Sequence, residues 1–215
     1  MKIVPPGSTV GIVGGGQLGR MLAMAAAQLG YRSHIFAPEA SGPAADVTAA
    51  WTRGAYEDAQ ALRAFADAVD VITYEFENVP SEAVALLAGL GHVQPNARAL
   101  GVAQERLSEK SFVAGLGGRT APYAPVGSRD DLAAAIATVG APAILKTTRF
   151  GYDGKGQARL MNATPETLDR AWAEIAQQPA ILEGFVHFEH EFSVGDPGAG
   201  ARWRGALLGF AAQCP

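Results

Sequence analysis

The chain has 215 residues, of which 48% are apolar, and its 17 Lys and Arg against 21 Asp and Glu give a formal net charge of −4. This length accommodates one large or two small domains with a buried core, and the lack of charge runs argues against nucleic acid and anionic membranes as partners. A single cysteine, Cys214, excludes an internal disulfide framework and a multi-cysteine metal site; with no recognisable signal peptide or membrane-length apolar run, the sequence predicts a soluble, cytoplasmic protein.

The first predicted elements are a strand, a glycine turn and a helix. A β-branched run at Thr9–Val13 leads into Gly14–Gly16, a helix is predicted over 17–29 and ends at Gly30, and His34–Phe36 is a second short strand. This order is typical of an open α/β sheet. The apolar residues at helical spacing in this helix are Leu18, Met21, Leu22, Ala25 and Leu29.

The glycines of the first turn form the pattern Gly14-x-Gly16-x-x-Gly19 between a strand and a helix. Such a turn lets an anion approach the backbone, and the helix N-terminus offers it unpaired N–H groups. A dinucleotide site also needs an acidic residue about 20 positions further on, where this chain has Ala37–Pro38. The pattern therefore disfavours NAD or NADP and leaves a phosphate-ester site and a structural tight turn as interpretations.

A second polar cluster follows the next predicted strand. A helix is predicted over Asp58–Ala68 and a buried strand over Val69–Tyr74, and a further helix over Ser81–Leu90 has Ser81 as its cap. The residues between, Glu75, Glu77 and Asn78, lie where ligands bind in open α/β sheets. They either accept hydrogen bonds from an amine- or hydroxyl-bearing ligand or form a turn with solvated glutamates.

After a predicted helix over Gln104–Leu116 the alternation of elements starts again, which indicates a second, smaller α+β domain from about Ala121. Its predicted helices are Arg129–Val139 and Pro165–Ala176, and its predicted strands are Ala143–Lys146, Ala158–Leu160 and Ala180–Phe185.

Lys146 ends an apolar strand and opens a polar loop that contains three glycines and two further cations. Such a loop can close over a triphosphate, because its backbone N–H groups cradle oxygens and lysine offsets their charge; the alternative is a mobile glycine hairpin. At the next strand end, Glu183–Val186 could offer backbone groups to a purine edge, with Glu191 offering a carboxylate to ribose hydroxyls.

Taken together, these segments resemble the N5-carboxyaminoimidazole ribonucleotide synthetase family of the ATP-grasp superfamily, over about residues 8–194. The matching segments are GGGQLGRM (Gly14–Met21), TYEFENVP (Thr73–Pro80), RLSEK (Arg106–Lys110), APYAP (Ala121–Pro125), Lys146, GYDGKGQ (Gly151–Gln157) and EGFVHFEHEFS (Glu183–Ser193).

The resemblance implies an enzyme of de novo purine biosynthesis, an ATP-dependent carbon–nitrogen ligase. ATP and bicarbonate would give carboxyphosphate, which carboxylates the 5-amino group of aminoimidazole ribonucleotide. It also implies Mg²⁺ and a homodimer. The implied domains are a biotin-carboxylase-like parallel α/β domain at 1–104, a connecting helix and linker at 105–120, and a small α+β ATP-grasp subdomain at 121–194.

The resemblance also assigns residues to sites. It implies Lys155 as a catalytic residue and a substrate site at Gln17, Leu18, Glu75 and Asn78. The implied ATP-binding residues are Arg106, Lys146, Gly151, Tyr152, Asp153, Gly154, Lys155, Gly156, Gln157, Glu183, Gly184, Phe185, Val186 and Glu191. No metal ligand is named, because the family's acidic Mg²⁺ pair is expected in a third ATP-grasp domain, absent here.

Two other classes of function stay open. An NAD(P)-dependent oxidoreductase or sensor would use the N-terminal glycine turn and would bind a nicotinamide cofactor. A non-catalytic association domain would persist only as an oligomer, so a monodisperse monomer in light scattering would count against it.

Residues 195–215 depart from the family, and we hypothesise that a single-nucleotide frame change produced this tail and ended the protein early. Codons can be chosen for it that, read one nucleotide later, encode the family-like string GIRARGRDGEVPFWDSPRNV. Sequencing the gene tests this, since an uninterrupted frame with incompatible codons contradicts it. Such a truncated chain is expected to have little or no synthetase activity, so full bicarbonate-dependent ATP hydrolysis would contradict that expectation.

Overall fold

The structure is a computed structural model that describes residues 3–150, 155–188, 190–195 and 208–213. For 191–195 and 208–213 it describes the backbone alone. The predicted loop residues Gly151, Tyr152, Asp153 and Gly154, and most of the tail hypothesised to be out of frame, lie outside the described residues.

The N-terminal half contains a four-stranded parallel sheet. Its strands are β1 (Thr9–Val13), β2 (Arg32–Ala37), β3 (Ala50–Arg53) and β4 (Val71–Tyr74), in the order β3-β2-β1-β4. The predicted open α/β sheet is therefore confirmed. The sequence did not reveal β3, a short strand that pairs with β2.

Helices cover both faces of this sheet, because neighbouring residues of a strand point to opposite sides. On one side α1 (Gln17–Gln28) and a 3₁₀ turn (Pro43–Asp46) pack on Ile12 and Ile35. On the other side α2 (Ala59–Asp67) and α3 (Ser81–Leu90) pack on Val13 and Phe36. Both faces of the sheet therefore carry a buried apolar core, which fixes the strand ends that carry the polar clusters.

Helix α1 packs on the sheet through its small residues. Gly19 and Ala23 are buried, whereas the larger apolar residues that the sequence showed at helical spacing are exposed. Gly30 ends the helix with a φ of 82°, as predicted, because a left-handed residue suits glycine. In the described part of the chain, no helix has the length and apolar character needed to span a membrane.

Two helices, α4 (Ala97–Ala103) and α5 (Arg106–Gly115), join the halves of the chain. The single helix predicted over Gln104–Leu116 is thus shorter, and α4 was not predicted. The prediction that Ser81 caps α3 is wrong: Pro80 is the N-cap, and the Ser81 hydroxyl donates to Glu82 inside the helix.

The second sheet is antiparallel. It consists of β5 (Tyr123–Val126), β6 (Ala143–Thr147), β7 (Gln157–Leu160) and β8 (Ala180–Gly184), in the order β5-β8-β6-β7. Helices α6 (Arg129–Val139) and α7 (Pro165–Glu174) pack on one face, around a core that includes Leu145 and Leu182. The second, smaller α+β unit is confirmed, and its opposite face is left for other contacts.

The last described elements are β9 (Glu191–Gly195) and β10 (Leu208–Gln213), an antiparallel pair with a register shift between Leu208 and Ala211. The predicted ribose ligand, Glu191, starts β9.

His34 gives the N-terminal core a pH dependence. The residue is 9% exposed, its Nε2 is hydrogen-bonded to Thr52 Oγ1 over 2.8 Å, and its ring meets that of Phe65 edge to face. Burial lowers the pKa of His34 from its ordinary value of 6.5, so below that pH the unfolded chain binds the proton more readily. We expect the free energy of unfolding to fall between pH 7 and pH 5, and His34→Gln to flatten that slope in urea titrations. An equal slope in both proteins would contradict this.

Candidate functional site

The face of the second sheet opposite its core carries the charged site, and the strand register explains why. Ile144 of β6 lies opposite Glu183 of β8, so these two side chains share one face. Lys146, two residues further along β6, points the same way. Lys146 and Glu183 are therefore diagonal neighbours on the face that α6 and α7 leave uncovered.

Glu183 is a buried carboxylate with two cationic partners. Lys146 Nζ donates to its Oε2 over 2.8 Å, and Lys110 Nζ of α5 lies 3.3 Å from its Oε1. Burial alone would raise the pKa of Glu183, but the hydrogen bonds and charges of Lys146 and Lys110 outweigh it and lower the pKa below its ordinary value of 4.5. The carboxylate is thus ionised at neutral pH.

A cavity of about 300 Å³ lies beside this ion pair. Its charged lining groups are three cations and two carboxylates, so a net positive charge faces it. The lining residues are Arg106, Glu109, Lys110, Val113, Thr120, Lys146 and Glu183. Its charge suits an anion such as the phosphates of a nucleotide.

A second cavity, of about 360 Å³, lies between the two halves of the chain. Asn78 and Glu77 line it from the N-terminal half, and Arg149 and Phe150 line it from the loop after β6. Arg106 borders both cavities. The two predicted clusters therefore meet at α5.

Gln104 joins the walls of this second cavity. Its buried side chain donates from Nε2 to the Val79 carbonyl over 2.6 Å and accepts from Arg149 Nη2 over 3.3 Å. The Arg106 N–H also donates to the Thr148 carbonyl over 3.1 Å. The start of the loop is thereby bonded to the N-terminal half.

The glycine turn before α1 holds the carboxylate of Glu75. Glu75 Oε1 accepts from the Gly16 N–H over 2.8 Å, and its Oε2 accepts from the Gly19 N–H over 2.5 Å. A Cβ at Gly14, where φ is 106°, would overlap the Glu75 side chain. The carboxylate takes the N–H groups that a phosphate would need, so the structure favours a structural turn over a phosphate-ester or dinucleotide site.

Comparison with known proteins identifies the family of this fold. Residues 7–104 match the ribonucleotide synthetase preATP-grasp domain, and residues 111–195 match the ATP-grasp domain. N5-carboxyaminoimidazole ribonucleotide synthase of Brucella melitensis is 51% identical over 189 residues, which cover 88% of this chain and 52% of the relative. The chain belongs to the N5-carboxyaminoimidazole ribonucleotide synthetase family.

Solved structures agree with this assignment. A crystal structure of an N5-carboxyaminoimidazole ribonucleotide synthetase in complex with ADP has a TM-score of 0.90 and 35% identity, covering 99% of this chain and 56% of that one. The Aspergillus clavatus enzyme in complex with ADP and 5-aminoimidazole ribonucleotide has a TM-score of 0.77 and 26% identity, covering 87% and 49%. The chain spans about half the length of the relatives it matches, and the predicted fold class is confirmed.

The nucleotide residues expected from the synthetase family are brought together only in part. Arg106, Lys146 and Glu183 meet at the smaller cavity. Lys155 and Gln157 are exposed, while Gly156 accepts from the Thr147 N–H at the base of the β6–β7 loop. Gly184 ends β8, and the side chains that follow it, Phe185 and Val186, are exposed.

The substrate residues expected from the family are divided between two places. Asn78 lines the larger cavity, and Glu75 caps the glycine turn. Gln17 and Leu18 lie exposed in the first turn of α1 and line neither of the two cavities described above. Their role as substrate ligands stays a prediction.

The part of the chain that the structure describes contains no preformed set of side-chain ligands for Mg²⁺. There, no three His, Cys, Asp or Glu side chains gather around one point. The carboxylate of Glu183 faces two lysines, and that of Glu75 faces backbone N–H groups.

Sequence reasoning missed Gln104, Lys110 and Arg149 as site residues. Lys110 follows Arg106 by four residues, which places both on one side of a helix, and this spacing was the available signal. Gln104 and Arg149 acquire their position only from the contact between the two halves.

The Glu75 carboxylate is expected to stabilise the fold through its two backbone partners. Glu75→Gln replaces one acceptor oxygen with an N–H group that faces another N–H, so we expect it to lower the free energy of unfolding by about 1.5–3 kcal/mol. Urea unfolding measures this, with exposed Glu57→Gln as the control for loss of charge. A loss of less than about 0.5 kcal/mol, the range of ordinary surface substitutions, would contradict it.

Proposed function

We propose that this chain supplies the nucleotide site and part of the substrate site of a cytoplasmic ligase that carboxylates 5-aminoimidazole ribonucleotide, using ATP and bicarbonate. The observation that carries the proposal is the cationic cavity, where Lys146 and Arg106 lie beside the strand end at Glu183. Two relatives with this fold are in complex with ADP, and one of them also with 5-aminoimidazole ribonucleotide.

The proposed reaction has two steps. The γ-phosphoryl group of ATP passes to a bicarbonate oxygen, giving carboxyphosphate and ADP. The 5-amino nitrogen of the ribonucleotide then attacks the carboxyl carbon, phosphate leaves, and the nitrogen loses a proton. Phosphoryl transfer depends mainly on positioning and charge stabilisation, which is the chemistry that lysine and arginine side chains supply.

Lys146 and Arg106 are proposed to bind the phosphate groups from two directions. Lys146 comes from β6 and Arg106 from α5, and both side chains are only partly exposed, so their charges are less screened than at an open surface. Lys155, on the far side of the β6–β7 loop, remains the proposed catalytic cation. Mg²⁺ is proposed to arrive with the nucleotide and to offset the charge of its phosphates.

The larger cavity is proposed to take the ribonucleotide. It adjoins the smaller one at Arg106, so a molecule there would lie next to the transferred group. Asn78 offers both hydrogen-bond donors and acceptors to an aminoimidazole ring. The predicted homodimer stays a proposal, and the exposed apolar residues of α1 are compatible with it.

Lys146→Met is expected to weaken ADP binding at least about tenfold, because it removes a charge-assisted hydrogen bond worth about 1.5–3 kcal/mol. Isothermal titration of the chain with ADP measures this. Arg170→Met, which removes an exposed cation of α7, is the matched control and should bind as the wild type does. Equal ADP affinity in all three proteins, or binding of NADH as strong as that of ADP, would overturn the proposal.

A further inference from the structure

Glu183 has a different lysine at each of its carboxylate oxygens. Lys146 hydrogen-bonds Oε2 at 2.8 Å, and Lys110 lies 3.3 Å from Oε1. The two contacts come from different elements, β6 and α5. Two cations for one carboxylate are more than neutrality requires.

The burial of Glu183 makes at least one of these cations necessary. The residue is 9% exposed, and a buried carboxylate that loses its only cation is strongly destabilised. If Lys146 turned towards a phosphate group, its own bond to Glu183 would lengthen or break. Lys110 would then be the remaining partner.

Burial and a contact with an aromatic ring restrain the side chain of Lys110. Its side chain is 15% exposed, and its ammonium group lies 5.5 Å from the centre of the Tyr123 ring. Tyr123 lies opposite Glu183 in the pairing of β5 with β8, so ring and carboxylate contact the same ammonium group from one sheet face. Lys110 is thus held by two groups of a strand pair, whereas Lys146 is held by the carboxylate.

We propose that Lys110 is a positioning residue that keeps Glu183 neutralised and so frees Lys146 to bind the phosphate groups of a nucleotide. This inference rests on the proposed nucleotide site. It gives the two lysines different tasks, although both line the same cavity: Lys146 contacts the ligand and Lys110 holds the carboxylate that Lys146 leaves.

Whether either lysine alone can neutralise Glu183 can be tested without any ligand. Lys110→Met and Lys146→Met each leave Glu183 one cation, and only the double variant leaves none. We expect the urea midpoint of the double variant to fall by more than the sum of the two single shifts, and the shifts to become additive in a Glu183→Gln background. Additive shifts with Glu183 present would overturn the proposal.

The release of Lys146 is tested on the single variants by titration with ADP and with adenosine, which has no phosphate. Lys110→Met is expected to weaken ADP binding about tenfold or more, because Lys146 must then stay on Glu183. Adenosine binding should be unchanged, and Lys110→Arg should restore ADP binding. A general structural defect would weaken both ligands equally and would overturn the proposal.

The two proposals fail in different ways. A wild-type chain that does not bind ADP contradicts the nucleotide site, and the inference about Lys110 with it. ADP binding that Lys146→Met weakens and Lys110→Met does not contradicts the role of Lys110 alone.

Discussion

The carboxylate of Glu183 is the group on which the arrangement of the candidate site depends. It lies buried on a strand whose neighbours on one side belong to the core, so its charge must be balanced within the protein. The balance comes from β6 and from α5 at once. A single buried charge thereby connects the second sheet to the helix that leads into it, and gathers cations at one cavity.

In the N-terminal half, the carboxylate of Glu75 caps the start of helix α1. Gly16 has no side chain with which to cap α1, and the first N–H groups of a helix need an acceptor. A carboxylate from the end of β4 supplies it, with the charge that the helix N-terminus favours. The glycine turn therefore does bind an anion, and that anion is the carboxylate of Glu75.

Local patterns were sufficient for much of the fold. The strand, glycine turn and helix at the N-terminus follow from residue periodicity and turn chemistry. The same holds for α6, α7, β6, β7 and β8, whereas β5 was not predicted. Periodicity could not say that the apolar side of α1 faces outward, because that depends on which residues the sheet leaves room for. The strand β3 escaped notice because its pairing with β2, and not its four residues, makes it a strand.

Lys146 and Glu183 were each predicted as site residues from their own segments, but the contact between them was not predicted. Lys146 and Glu183 are 37 residues apart, and their meeting follows from strand register that no local pattern reveals. The family resemblance also named both residues. For Lys110 the local signal was its spacing from Arg106, whereas the position of Gln104 follows from the contact between the two halves.

Helix α5 has no buried residue among its ten. The contacts that it and its neighbours make at Thr148, Arg149 and Glu183 are hydrogen bonds and an ion pair. Such bonds form only over short distances and at favourable angles, so each of them constrains how the two halves meet. The two halves of the chain therefore each have an apolar core of their own and meet through polar contacts, and the two cavities that Arg106 lines lie where they meet.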